Sequence, residues 1–76
     1  MSTIEAPTRI LAHRIELGDT VHTLAIADMR PDAYGQWQVR IEPFTAETPA
    51  TSFHSGTLRI TLSKNKHTPP SLTFIP

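Results

Sequence analysis

The Gly18-Asp19 pair splits residues 10–29 into two halves, ILAHRIEL and TVHTLAIADM, and constrains the fold more than any other feature of the chain. The first half alternates: Leu11, His13, Ile15 and Leu17 point one way, Ile10, Ala12, Arg14 and Glu16 the other. A glycine followed by aspartate between two such runs is the signature of a tight hairpin, because glycine enters positive φ without steric cost. If Gly18-Asp19 is the loop, the register follows. Leu17 faces Thr20, Ile15 faces His22, His13 faces Leu24 and Leu11 faces Ile26. One face then gathers Leu11, Ile15, Leu17, Leu24 and Ile26 together with two histidines.

The remaining chain continues in the same period. Arg30-Pro31-Asp32-Ala33-Tyr34-Gly35 reads as a turn, and QWQVRIE at 36–42 as a strand with Trp37, Val39 and Ile41 inward. Pro43 lacks an N–H and ends ladder pairing except at an edge. TLRITLS at 57–63 places Leu58, Ile60 and Leu62 inward, SKNKHTPPS is a polar loop, and LTFI at 72–75 is a short last strand with Leu72 and Phe74 inward. Only 20–29 offers helix any competition, through its alanines, and its threonines, valine and hairpin signal favour strand. These readings predict an all-β fold: a single antiparallel meander of about five strands, as a curled sheet or small open barrel. Residues 1–8, polar and carrying Pro7, are expected as a flexible arm, and 9–76 as one small β domain.

Composition limits what such a sheet can do. A 76-residue chain has a thin core, and without cysteine it has neither a disulfide staple nor a thiolate metal ligand. Seven Lys plus Arg balance seven Asp plus Glu, so the basic excess of a duplex-binding domain is missing and self-repulsion is weak. No apolar run approaches membrane-spanning length, and the N-terminus lacks the pattern of a signal peptide; a cytoplasmic location without membrane contact is expected. Widely spaced glycines give no phosphate-cradling loop, and no nucleophile elbow or paired acids are present. Neither an enzyme nor a cofactor is expected.

The stretch RIEPFTAETPATSFHSGTLRI, 40–60, raises the one local question. Phe44 breaks strand parity unless the chain bends at Pro43, and Phe53 is out of phase with Leu58 unless Gly56 makes a bulge. Both aromatics are expected to fold onto the open end of the sheet, pinning a long hairpin loop at 45–52 that contains Glu47.

The leading expectation is therefore a non-catalytic protein-interaction module or accessory subunit, self-associating or bound to another protein through a sheet edge or apolar face. Its candidate contact residues are Tyr34, Phe44, Glu47 and Phe53. An alternative is a ligand or metal binder through His13 and His22, which the hairpin register places diagonally on one face, with His54 or Glu47 as a third ligand. A second alternative is a weak single-stranded nucleic-acid binder using Tyr34, Arg59, Lys64 and Lys66, with Trp37 reserved for the core.

Overall fold

The structure is a computed structural model that describes residues 2–76; Met1 lies outside them. It is all-β. Ser2–Thr3 (β1), Thr8–Leu17 (β2), Thr20–Pro31 (β3), Trp37–Pro43 (β4), Ser52–Thr61 (β5) and Ser71–Ile75 (β6) form one open sheet in the order β1-β6-β5-β2-β3-β4. The segment 1–8 expected as an arm contributes Ser2 and Thr3 as the short strand against Leu72 and Ser71.

The β2–β3 hairpin has the register read from the sequence, from Leu17 opposite Thr20 to Leu11 opposite Ile26. Gly18 turns it with φ 59°. The faces agree with expectation only above the middle of the hairpin. Leu24 sits at φ 50°, a conformation a leucine rarely adopts, and ladder pairing skips the His13–Leu24 level. Side chains therefore change face there. Ile15 and Leu17 point into the core as expected, but below the irregularity Ile10 and Ala12 point inward instead of Leu11.

The meander is corrected by β5, which pairs with β2 in parallel. The segment 44–51 is a crossover and not a hairpin loop. Parallel connections usually need a dozen or more residues because the chain must climb back along the sheet. Here the climb is unnecessary. Pro43 lies opposite Ala25, which faces Ala12, while Ser52 lies beside Ile10, so β4 ends at nearly the level where β5 begins. The connection only crosses β3 and β2, three strand spacings or about 14 Å, and eight residues can reach about 26 Å.

The bulge that the parity of Phe53 and Leu58 left open at Gly56 is present in β5. The β2–β5 register shifts between Ala12, opposite His54, and Arg14, opposite Thr57, so Ser55 and Gly56 together stand against one residue of β2. This returns Leu58 and Ile60 to the core. Gly56 is required by space: an added Cβ would overlap the Ile75 carbonyl oxygen and lie 2.8 Å from the Pro76 carbonyl carbon.

The core gathers Ile10, Ala12, Ile15, Ala25, Ala27, Met29, Leu58, Ile60 and Leu72, with Ile4, Leu17, Val39 and Ile41 packed around it. Leu62 and Phe74, expected inside, are 60% and 46% exposed. Leu62 lies beyond the end of β5. Phe74 packs edge-on against His54, with ring centroids 5.1 Å apart.

Candidate protein-interaction edge

β4 is the outermost strand on one side of the sheet. Its hydrogen-bond directions follow from two contacts. The Phe44 N–H donates to the Leu24 carbonyl, continuing the β3 ladder, so the even-numbered residues of β4 turn their backbone groups toward β3. The odd-numbered residues turn theirs outward, and the Trp37 N–H does donate outward, to the Lys66 carbonyl at 2.7 Å. Beyond Trp37 the 62–70 loop gives β4 no further backbone bond among the described residues. The backbone groups of Val39 and Ile41 and the Pro43 carbonyl therefore form an open window, capped by Lys66 below and ended above by the missing N–H of Pro43.

The opposite side of the sheet offers less. There β1 pairs with Leu72 and Ser71 and covers two of the five residues of β6 among the described residues.

The sheet face bearing Arg40 and Glu42 carries an ion cluster that sequence reasoning did not single out. Arg9 bonds Asp28 Oδ2 and Glu42 Oε2, each at 2.9 Å, and Arg30 bonds Asp28 Oδ1 at 3.0 Å. Asp28 is buried, so both carboxylate oxygens need these partners. Arg9 also donates through Nε to the Pro49 carbonyl at 3.1 Å, and its backbone exchanges bonds with Thr51. One residue thus ties β2, β3 and β4 to the crossover. Its hydrogen bond to Glu42, together with the nearby negative charges of Glu42 and Asp28, holds the guanidinium pKa above its ordinary value, against the opposing effect of burial. The available signal was an acid inside the apolar run AIADM, where a charge needs a partner.

Asp32 builds the turn that launches β4. Its Oδ1 accepts from the Tyr34 and Gln36 N–H groups, and its Oδ2 from the Gln38 side-chain amide. The bond from Gln36, then that from Tyr34, pull the carboxyl pKa below its ordinary value, and Gln38 and His67 pull the same way.

The four candidate contact residues are exposed and separated. Tyr34 is 82% exposed at the β3–β4 turn, and Phe53 is 61% exposed beside Leu11 on β5. Phe44 is 39% exposed and Glu47 is exposed on the crossover. Neither phenylalanine enters the core cluster, so the two flank the crossover instead of closing the sheet. His13 is exposed at the irregular level of β2, and His22 is half-buried opposite Ile15. Among the described residues no group of three His, Asp or Glu side chains could hold a metal ion. Arg59 pairs with Glu16 at 3.1 Å, while Lys64 and Lys66 are exposed in the 62–70 loop.

A cavity of about 260 Å³ lies between Leu17, Trp37, Val39, Leu62, Lys66 and Pro70. That volume falls below the roughly 300 Å³ at which small-molecule sites begin, whereas a more open cleft of about 430 Å³ between Glu16, Leu17, Gly18, Arg59 and Leu62 exceeds it. Among the described residues no helix is long and apolar enough to cross a membrane. No protein-family model matches the chain, and comparison with curated proteins and with solved structures finds no match in either.

Proposed function

We propose that the chain is a non-catalytic interaction module that accepts a strand of another protein chain along β4. The observation that carries this reading is the open backbone window at Val39, Ile41 and Pro43 on a seven-residue edge strand. An edge of this kind binds by main-chain hydrogen bonds, while the alternating side chains on either face select the partner. The rest of the fold supports the role. The Asp32 turn fixes where β4 starts, the Arg9 cluster holds its far end against β3, and the half-buried Trp37, Val39 and Ile41 supply an apolar flank.

Amide exchange on labelled protein tests the reading. The Val39 and Ile41 amides should exchange quickly in dilute protein and become protected in a concentrated extract of the source cells. The Gln38 and Arg40 amides, turned toward β3, should change little. Equal exchange of Val39 and Ile41 in both samples would show that the edge takes no strand.

A further inference from the structure

We infer that the strand taken up by β4 is β4 of a second copy, paired antiparallel about a two-fold axis through Ile41. This rests on the edge reading above and adds the partner and the register.

Two observations converge on Ile41. The first is the window itself. Its outward-turned residues are Val39, Ile41 and Pro43, so Ile41 is the centre. An antiparallel pair centred there sets Ile41 against its own counterpart and Val39 against Pro43. Two hydrogen bonds form between the isoleucines, and each Val39 N–H donates to the partner copy's Pro43 carbonyl. Every outward N–H of the window is then used, and pairing stops where Lys66 already covers Trp37. The missing N–H of Pro43 costs only a bond that the Val39 carbonyl would have accepted.

The second observation is charge. The same register places Arg40 opposite Glu42 of the other copy, twice, at the closely spaced non-hydrogen-bonded positions. Within its own chain Arg40 is exposed and makes no ion pair among the described residues. Its cross-strand neighbour Asp28 already holds Arg9 and Arg30 with its two oxygens. Glu42 gives Oε2 to Arg9, and its Oε1 has no bonded partner among the described residues. Each copy therefore presents a spare cation two residues from a half-used carboxylate. Sliding one strand by two residues would centre the axis on Arg40 and put two arginines face to face. Centring it on Val39 would oppose Arg40 to Gln38 and would require Trp37, whose N–H is already committed. The balanced charge of the chain leaves no long-range repulsion against this association.

The test uses two single variants, Arg40→Glu and Glu42→Lys, with the wild-type chain, by sedimentation equilibrium up to roughly 1 mM, the range in which interfaces below standard size associate. The wild type should dimerise. Either variant alone should weaken the dimer by about tenfold or more, since both cross-strand pairs become like-charged. An equimolar mixture of the two variants should dimerise again as the heterodimer, because both opposite-charge pairs are restored there. Glu42→Lys also removes a partner of Arg9, so a chain made by synthesis with an N-methylated Ile41 amide provides a second probe. It leaves the bonds to β3 intact and should be monomeric. A wild-type dimer indifferent to Arg40→Glu and to N-methylation would overturn the register. A wild-type monomer throughout would overturn the second copy as partner. The edge reading would then stand or fall separately on whether Val39 and Ile41 gain protection in extract.

Discussion

Gly56→Ala should be the most damaging single-methyl change in this protein, and the reason can be worked through. Glycine-to-alanine substitutions at a compatible backbone stabilise by about 0.4–1 kcal/mol through the unfolded chain. Gly56 lacks the positive φ of Gly18 and Gly35, so backbone strain does not argue against alanine. Space does. The new Cβ would overlap the Ile75 carbonyl oxygen and stand 2.8 Å and 3.0 Å from the carbonyl carbon and Cα of Pro76. These are backbone atoms at the end of β6, so the cheapest relief is for that end to peel away. The cost is then what those residues contribute. It includes the His54 Nε2 bond to the Ile75 carbonyl at 3.0 Å and the ladder contact of Thr57 with Ile75. It also includes the edge-on His54–Phe74 contact. At about 1 kcal/mol for each hydrogen bond and somewhat less for the ring contact, the loss is about 3 kcal/mol, or about 2 after the unfolded-state gain. A chain of this length has about 4–11 kcal/mol in total, so the melting temperature should fall by about 8–16 °C. Thermal unfolding by circular dichroism reads this directly. A chain ending at Phe74 provides the control, because there Gly56→Ala should be neutral or slightly stabilising. A full-length variant melting within about 2 °C of wild type, or an equal penalty in the shortened chain, would refute the steric account.

Three further outcomes are expected. Arg9→Leu should lower the melting temperature by several degrees and open 44–51 to limited proteolysis, because Arg9 alone joins Asp28, Glu42 and Pro49; unchanged cleavage would refute its role as the tie. Asp32 has a folded-state pKa below its ordinary value, so the stability it contributes is complete above the ordinary aspartate range of about pH 3.9. That stability is lost as pH falls through the depressed value, and a carboxyl titration midpoint by carbon NMR at or above the ordinary value would refute the turn's grip on it. Ile15→Ala, at a fully buried site, should cost about 2–5 kcal/mol, whereas Tyr34→Ala should change urea stability by less than about 0.5 kcal/mol; comparable losses would contradict the placement of the core.

The hairpin register was legible because a two-residue Gly-Asp loop leaves one way to align its strands, and every expected pair that the ladder contains is present. The Gly56 bulge was legible as a conflict of parity between Phe53 and Leu58. The reversal of faces at His13 and Leu24 was not, since a leucine at positive φ has no local sequence signal and is held there by the surrounding sheet. The parallel pairing of β5 was hidden for a related reason. The 44–51 segment has the composition of a hairpin loop, and its route is decided by contacts distant in sequence, chiefly Arg9 with Pro49 and Thr51. Arg9 itself drew no attention because a charged residue at the start of a strand normally faces water. The candidate edge was legible as a possibility from the strand count. Its position at β4 was not, because strand order decides which strand is outermost.

The two sides of the sheet are treated differently, and that difference connects stability to the proposed role. On the β6 side, β1 covers Ser71 and Leu72 of a five-residue strand. On the β4 side, Lys66 covers Trp37, and among the described residues the outward backbone groups of Val39, Ile41 and Pro43 are left without a partner. In a chain with so thin a core, groups left open in this way couple association to folding: a strand that binds the native sheet and not the unfolded chain stabilises it by mass action. If the strand comes from a second copy, the melting temperature must rise with protein concentration. N-methylation of the Ile41 amide must abolish that rise while leaving the dilute-limit melting temperature close to that of the wild type. A concentration-independent melting temperature across the range in which the dimer forms would separate assembly from stability and break this link.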